Sequence, residues 1–292
     1  MKAVILAAGL GTRLVPYSKE MPKEMLPIFV EEDGSLVLKP ILQVVFEKLY
    51  EAGVREFCFV VGRGKRVVED HFTPDQSYVE FLRGADKTIQ AQMLERFYEI
   101  LNDSVIMWVN QPTPKGTGDA VLKAEHFVGD EVFIATAGDN VFLGENVFAR
   151  LIELYRSLGA PLMTVRRVSN PSRYGVIEGE EVKEGIYRVR KLMEKLKRPP
   201  SNLANTSLYI FPPEIFGAIR RTKPSPRGEI EITDSIQLLI NEGVEFYAYE
   251  SKACWIDVGT PQTYLEALIH SIKASANREL LEQLIGLLRG PP

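Results

Sequence analysis

The stretch KAVILAAGLGTR, residues 2–13, decides the fold. Its first half is apolar without polar alternation, which is typical of a central strand buried on both faces. Its second half holds two glycines and an arginine, so backbone N–H groups can approach a phosphate while the guanidinium contacts the phosphate oxygens. Ligands of open α/β sheets bind at such strand ends. We therefore predict a phosphate-binding loop formed by Ala8, Gly9, Gly11, Thr12 and Arg13.

The loop differs from the two best-known phosphate motifs. A GxGxxG dinucleotide motif requires a third glycine where this chain has Leu14, and a Walker A sequence is absent. Ten residues after Arg13, Lys23 adds a compact positive charge within the run MPKEMLP. These features favour a nucleoside triphosphate as the ligand. A plain turn and a nicotinamide or flavin site stay open as alternatives.

Short apolar runs alternate with amphipathic segments after this loop. We predict strands at residues 2–7, 56–61, 104–109, 132–137 and 161–165, and helices at residues 40–52, 118–127 and 146–158. This alternation indicates an α/β fold with a Rossmann-like mixed, mostly parallel central sheet that is flanked by helices. Beyond about residue 165, shorter runs predict a smaller antiparallel part, and residues 261–288 predict a C-terminal helix.

Composition narrows the functional classes. The 292 residues are 45% hydrophobic and 25% charged, with a net charge of −4, which is typical of a globular protein and a poor match to nucleic-acid binding. No segment approaches the roughly 20 apolar residues that span a bilayer. Cys58 and Cys254 stand in apolar runs without CxxC spacing, so we expect buried thiols of a reducing compartment. We expect a cytoplasmic protein without membrane or nucleic-acid partners.

Two motifs in combination carry a family resemblance. The stretch AAGLGTR at residues 7–13, with PKEMLP at residues 22–27, resembles the signature of the sugar-1-phosphate nucleotidyltransferases, and matching patches extend the resemblance over about residues 1–270. The resemblance implies a nucleotidyltransferase domain over 1–260, with a nucleotide-binding part at about 1–165 and a sugar-binding part at about 166–260. A helical extension at 261–292 would then pack on this domain or form a homo-oligomer contact, in a dimer or tetramer.

The resemblance also implies the reaction. A hexose 1-phosphate, glucose 1-phosphate first, would attack the α-phosphate of UTP, or of dTTP as the alternative, and release pyrophosphate. A sugar phosphate has a second pKa of about 6, so its oxygen is an anion at neutral pH and no general base is needed. The family's catalytic cations would be Arg13, Lys23 and Lys195. An NAD(P)-dependent oxidoreductase is a distant alternative.

Further residues have roles implied by the resemblance. Gln111 and Gly116 would contact the base, and a glutamine amide offers the donor and acceptor that a uracil or thymine imide edge requires. Asp139 and Asp257 would hold Mg²⁺, although a lone aspartate after a strand is as typical of a helix cap. The residues that would line the sugar-phosphate site are Gly175, Glu194, Lys195 and Thr206.

The sequence departs from the family pattern at two places. Thr206 and Ser207 stand where relatives tend to have a small apolar residue and a glycine, so the identity of the sugar stays open. Residues 31–39 form an insertion whose composition predicts a β-turn or short hairpin. The run at residues 188–198 holds six basic residues and one acidic residue. A solvated strand face stays open there beside a phosphate site.

Overall fold

The computed structural model describes residues 1–275. Its strands are β1 Lys2–Ala7, β2 Pro27–Glu32, β3 Ser35–Pro40, β4 Glu56–Val61, β5 Val105–Asn110, β6 Phe133–Ala137, β7 Asn140–Leu143, β8 Leu162–Arg167, β9 Gly175–Lys183, β10 Ile186–Glu194, β11 Leu203–Phe211, β12 Tyr247–Glu250 and β13 Cys254–Asp257. Its α-helices are α1 Ile41–Glu51, α2 Arg66–His71, α3 Gln76–Gly84, α4 Thr88–Asn102, α5 Thr117–Lys123, α6 Glu125–Val128, α7 Val147–Leu158, α8 Glu214–Arg221, α9 Ile232–Asn241 and α10 Pro261–Ala274.

One large mixed sheet organises the chain. Its strand order is β5-β4-β1-β6-β11-β8-β12-β10-β9. The pairs from β5 to β6 are all parallel, whereas β11 runs antiparallel to both β6 and β8. The pairs of β10 with β12 and with β9 are also antiparallel. The predicted fold class, a mixed central sheet that is flanked by helices, is therefore confirmed. The sheet is parallel from β5 to β6, but over its whole width four neighbouring pairs are parallel and four are antiparallel, so it is less parallel than predicted.

Apolar residues cover the two faces of this sheet as separate clusters. On one face, Phe46 of α1 packs against Phe57 and Phe59 of β4, all fully buried. On the other face, Phe133 of β6 stacks on Phe216 of α8. β1 lies between the clusters with side chains in both, as its continuous apolar sequence predicted.

The insertion at residues 31–39 belongs to a hairpin of β2 and β3. Asp33 and Gly34 form its turn with φ of 50° and 75°, and positive φ at both central residues is characteristic of a two-residue hairpin turn. Arg96 of α4 forms an ion pair with Asp33. The prediction of a turn or hairpin is confirmed, whereas helices α2, α3 and α4 had no counterpart in the predicted elements.

Helix α10 confirms the first part of the predicted C-terminal helix. Thr260 begins it with a capping box to Thr263, and its side chains lie along β2: the Tyr264 hydroxyl donates to the Pro27 carbonyl at 2.9 Å. The predicted continuation to residue 288 lies outside the described residues. Among the described helices, none is both long and apolar enough to cross a membrane.

The two thiols have different surroundings. Cys58 of β4 is fully buried, and burial raises its pKa to about 12. Cys254 of β13 is half-buried, and burial raises its pKa as well. Both are free thiols, as the sequence predicted, but only Cys58 is buried within a core cluster.

Candidate active site

The predicted phosphate loop lies exposed at the carboxyl end of β1. Gly11 has φ of 63°, a left-handed conformation that a glycine adopts without steric cost. Its carbonyl accepts hydrogen bonds from the Leu14 backbone N–H at 2.8 Å and the Ser18 hydroxyl at 2.7 Å, and these bonds fix the turn that carries Thr12 and Arg13. Ala8, by contrast, is buried beneath the exposed Gly9.

Lys23 reaches this loop from its own short turn. A Cβ on Gly9 would lie 3.5 Å from the Lys23 Cε, so the lysine side chain passes beside the glycine. The Lys23 ammonium forms an ion pair with Asp139. Burial would lower the pKa of Lys23, but the negative charges of Asp139, Glu24 and Asp257 outweigh that effect and raise it. Lys23 is therefore a buried, fully charged cation beside the phosphate loop.

Asp139 and Asp257 lie side by side although 118 positions separate them in the sequence. β13 pairs antiparallel with β7, which places Asp257 opposite Asn140, and the Val258 backbone N–H donates to the Asp139 carbonyl at 3.1 Å. Burial and the charge of Asp139 raise the pKa of Asp257, and the nearby cations Lys23, Arg13 and Arg173 oppose this shift. The two carboxylates therefore lie close together, and nearby cations balance their negative charges.

Arg13 also belongs to this cluster. A Cβ on Gly259 would lie 2.7 Å from Arg13 Nη2 and 3.7 Å from Asp257 Oδ1. Because only a glycine leaves that space open, the guanidinium can lie beside the turn that follows β13. The sequence-predicted residues Arg13, Lys23, Asp139 and Asp257 are therefore brought together at one edge of the sheet.

Gln111 and Gly116 lie together at a second place on the parallel end of the sheet. Gln111 is buried, its backbone N–H donates to the Val61 carbonyl at 2.8 Å, and its side-chain amide donates to Asp119 at 2.7 Å and to the Gly116 carbonyl at 3.3 Å. Gly116 has φ of 98°, and a Cβ there would lie 2.6 Å from the Ile230 carbonyl oxygen. The structure thus brings Gln111 and Gly116 into contact, as a base-binding pair would require.

Gly175, Glu194 and Lys195 come together at the antiparallel end. Glu194 of β10 pairs with Gly175 of β9, and a Cβ on Gly175 would lie 2.9 Å from Glu194 Oε2. Lys195 Nζ lies 3.1 Å from Glu194 Oε1. Lys195 has φ of 42°, an uncommon conformation for a residue with a side chain, and its backbone N–H donates to the Tyr174 carbonyl at 3.1 Å.

Thr206 is placed differently from these residues. It is fully buried, and its hydroxyl contacts the Thr164 hydroxyl on β8. Its backbone carbonyl accepts a hydrogen bond from Asn140. Thr206 lies inside an irregular stretch of β11 between Asn205 and Tyr209, and its hydroxyl is enclosed against β8 and makes no hydrogen bond to Glu194 or Lys195. A sugar contact by this hydroxyl stays a prediction.

Several polar residues near these groups had no place in the sequence predictions. Glu24 and Lys65 form a buried ion pair of 2.7 Å. The Thr233 hydroxyl donates to Glu194 at 3.1 Å, and Arg227 lies 3.8 Å from the same carboxylate. Glu24 stands inside the motif PKEMLP, so its position beside Lys23 was a usable signal. Thr233 and Arg227 come from distant segments, and no local pattern marks them.

The two aspartates fit a divalent cation. Mg²⁺ is usually held by one or two carboxylates, with waters and substrate phosphates in its other positions. Asp139 and Asp257 supply such a carboxylate pair. Across residues 1–275, no group of three or more His, Cys, Asp or Glu side chains is arranged to hold a metal. A metal here would therefore take its remaining oxygen ligands from water or from the substrate.

The fold agrees with comparisons to known proteins. Residues 2–273 match the family described as "Nucleotidyl transferase", and the chain belongs to that family. This membership confirms the resemblance that the two motifs indicated and makes the chain a nucleotidyltransferase enzyme.

The names of individual relatives specify a reaction within this family. A Bacillus subtilis protein named UTP–glucose-1-phosphate uridylyltransferase is 36% identical to this chain, over 99% of this chain and 96% of the relative. A Pseudomonas aeruginosa protein of the same name is 35% identical, over 91% of this chain and 94% of the relative. A Methanocaldococcus jannaschii protein that carries the same name provisionally is 40% identical over 91% of both chains.

Solved structures with a similar fold carry names of the same class of enzyme. A UDP-glucose pyrophosphorylase complexed with UDP-glucose is similar with a TM-score of 0.81 and 32% identity, over 93% of this chain and 98% of the other. A UTP-bound UGPase from Acinetobacter baumannii has a TM-score of 0.84 and 27% identity, over 97% and 98%.

Proposed function

We propose that this protein transfers the uridylyl group of UTP to α-D-glucose 1-phosphate and releases pyrophosphate and UDP-glucose. The observation that carries the proposal is the convergence of Lys23, Asp139 and Asp257 beside the loop that holds Arg13. The names of the relatives and of the similar structures support the same substrates.

The chemistry requires positioning and charge neutralisation. The phosphate of a sugar 1-phosphate is already a nucleophile at neutral pH, since its second pKa is about 6. Its oxygen forms a bond to the α-phosphorus of UTP while the bond to the departing pyrophosphate breaks. Two polyanions must be held in line for this step, and fixed cations in a site that is largely shielded from water stabilise it most. The buried cation Lys23 meets that requirement.

Each end of the site would hold one substrate. Arg13 and Lys23 would contact the triphosphate, with Lys23 moving from Asp139 to phosphate oxygens. Lys195 would hold the attacking phosphate, and Glu194 would accept hydrogen bonds from sugar hydroxyls beside Gly175. Asp139 and Asp257 would hold Mg²⁺, which when bound supplies Lewis-acid stabilisation of the phosphate charge.

Base recognition would depend on Gln111 and Gly116. Both N–H groups of the Gln111 side-chain amide donate within the protein, to Asp119 and to the Gly116 carbonyl. Pairing with the imide edge of uracil through one donor and one acceptor would therefore require the amide to release one of these bonds. Thymine presents the same edge as uracil, so dTTP is the second candidate triphosphate.

The test is pyrophosphate release from a grid of UTP, dTTP and GTP with glucose 1-phosphate and galactose 1-phosphate. We expect the highest rate with UTP and glucose 1-phosphate. Rates that are equal for UTP and dTTP would support the second candidate, and a lack of release with every pair would overturn the proposal.

Metal dependence is tested separately. We expect EDTA to abolish release and Mg²⁺ to restore it. In Asp257→Ala, turnover should fall by about 100-fold, because groups that stabilise such transition states contribute about 2.7–4 kcal/mol. The control is Asp103→Asn, which changes an exposed aspartate that forms an ion pair with Arg55. Normal turnover in Asp257→Ala with Mg²⁺ present would remove the metal role of Asp257.

A further inference from the structure

A second ion pair lies behind Lys23. Glu24 is 1% exposed and Lys65 is 8% exposed, and the distance from Lys65 Nζ to Glu24 Oε2 is 2.7 Å. The desolvation of a buried ion pair can cost more than the attraction between its charges returns. The pair is therefore poorly explained by stability alone, and its position suggests another use.

The pair connects two segments that both support the phosphate site. Glu24 is the next residue after Lys23, on a short turn between Pro22 and Pro27. Lys65 comes from the loop that follows β4. In that same loop a Cβ on Gly62 would lie 2.9 Å from the Ala8 carbonyl oxygen, so the loop also packs against the start of the phosphate loop.

Charges alternate along this line of residues. Lys65 contacts Glu24, Glu24 stands next to Lys23, and Lys23 contacts Asp139. Burial raises the pKa of Glu24, and the positive charges of Lys65 and Lys23 oppose that shift. Without Lys65, the Glu24 carboxylate would keep Lys23 as its nearest remaining cation. Glu24 would then compete with the triphosphate for the Lys23 ammonium.

We propose that Lys65 is a positioning residue for nucleotidyl transfer: by holding the Glu24 carboxylate, it leaves the Lys23 ammonium available to the triphosphate. This inference rests on the proposed function. Lys65 acts through Glu24 and Lys23 and needs no contact with either substrate.

The experiment is a double-mutant cycle on Lys65→Met and Glu24→Gln, with UTP and glucose 1-phosphate as substrates. We expect Lys65→Met to lower kcat/KM for UTP by about tenfold, the size of effect seen when one partner of a coupled pair is removed. KM for glucose 1-phosphate should stay unchanged. Adding Glu24→Gln to Lys65→Met should restore most of the loss, because no unpaired carboxylate then remains beside Lys23.

A matched control is available in a second, partly buried ion pair. Lys39 contacts Glu47 at 2.8 Å, with side-chain exposures of 12% and 13%. Lys39→Met should lower the melting temperature but leave kcat/KM for UTP unchanged per folded molecule. Rates of every variant are divided by the folded fraction, measured by circular dichroism, so that loss of folded protein is not counted as loss of function.

Three outcomes decide the matter. Unchanged kcat/KM in folded Lys65→Met would overturn the inference, and so would a double variant no better than Lys65→Met. An inactive wild-type protein would instead overturn the proposed function. Calorimetric UTP affinity, expected to be weaker in Lys65→Met and restored in the double variant, tests the inference even then.

Discussion

The two ends of the candidate site differ in how they hold their charges. At the parallel end, the side chains of Lys23 and Asp139 are 16% and 10% exposed, and those of Lys65 and Glu24 are 9% and 2% exposed. At the antiparallel end, Lys195 is 45% exposed and Glu194 is 18% exposed. The first end holds buried charges that are already paired, whereas the second presents a lysine to solvent.

This difference in exposure indicates a different function for each end of the site. Charge interactions strengthen when water is excluded and weaken through screening at the surface. The buried end is therefore suited to stabilise charge in the transition state, which sets turnover. The more exposed end is suited to bind the sugar phosphate, and its contacts would set the choice of sugar. Substitutions should separate these two properties.

The largest expected effect is that of Lys23→Ala. Removing this cation should lower kcat by about 100-fold or more, since one fixed stabilising group is worth about 2.7–4 kcal/mol. Steady-state kinetics with circular dichroism as the folding control measures it. A change in KM alone, with kcat intact, would contradict the role assigned to the buried end.

Glu194→Ala should have a smaller and selective effect. We expect KM for glucose 1-phosphate to rise by about tenfold, which corresponds to about 1.4 kcal/mol of lost binding. UTP affinity, measured by calorimetry, should stay unchanged. A selective loss of UTP affinity would mean that the two substrates bind at the opposite ends.

A matched pair of glycine substitutions tests the comparison directly. In Gly259→Ala the new Cβ would meet Arg13 Nη2 at 2.7 Å, and in Gly175→Ala it would meet Glu194 Oε2 at 2.9 Å and Thr233 Cγ2 at 3.0 Å. These atoms end flexible side chains or side-chain branches, so we expect little loss of stability and a displaced functional group in each variant.

Each glycine variant should impair one of the two properties, turnover or sugar-phosphate binding. Gly259→Ala, which displaces Arg13, should lower kcat, and Gly175→Ala, which displaces Glu194, should raise KM for glucose 1-phosphate, each by roughly threefold to tenfold, or about 0.7–1.4 kcal/mol. Kinetics in both substrates measures the pattern. Equal effects of both variants on kcat and on KM for glucose 1-phosphate would show that the two ends do not act separately.

The smallest expected effect concerns stability. Ser207 has φ of 55°, a conformation that costs a residue with a side chain about 1–2 kcal/mol and a glycine very little. Glycine in a strand loses about 0.5–1 kcal/mol for its flexibility, so Ser207→Gly should raise the unfolding free energy by roughly 0.5–1 kcal/mol. Urea denaturation measures it, with Ser35→Gly in β3 as the control that should lose stability.

The parallel end was largely readable from the sequence. A continuous apolar run marks β1, and the glycines and arginine after it mark the phosphate loop, because both signals are local. The contact between Asp139 and Asp257 was not readable in this way. It depends on the pairing of β7 with β13, which no local pattern encodes, and the family resemblance alone indicated it.

Other features escaped prediction for physical reasons. A charged residue on a proline-bounded turn is typical of a surface, yet Glu24 is buried because Lys65 arrives from a distant loop. In α3, the exposed Tyr78 and Phe81 stack on each other at 6.1 Å, so apolar residues on its solvent side blur the helical period. At β11, the Thr206 hydroxyl turned out to face Thr164.

The pairing of β7 with β13 has a consequence for synthesis of the protein. A chain still emerging from the ribosome holds the phosphate loop, Lys23 and Asp139 long before Asp257 leaves the exit tunnel. The second acidic partner follows the first by 118 residues. A nascent chain that has not yet reached Asp257 therefore lacks one half of the acidic pair.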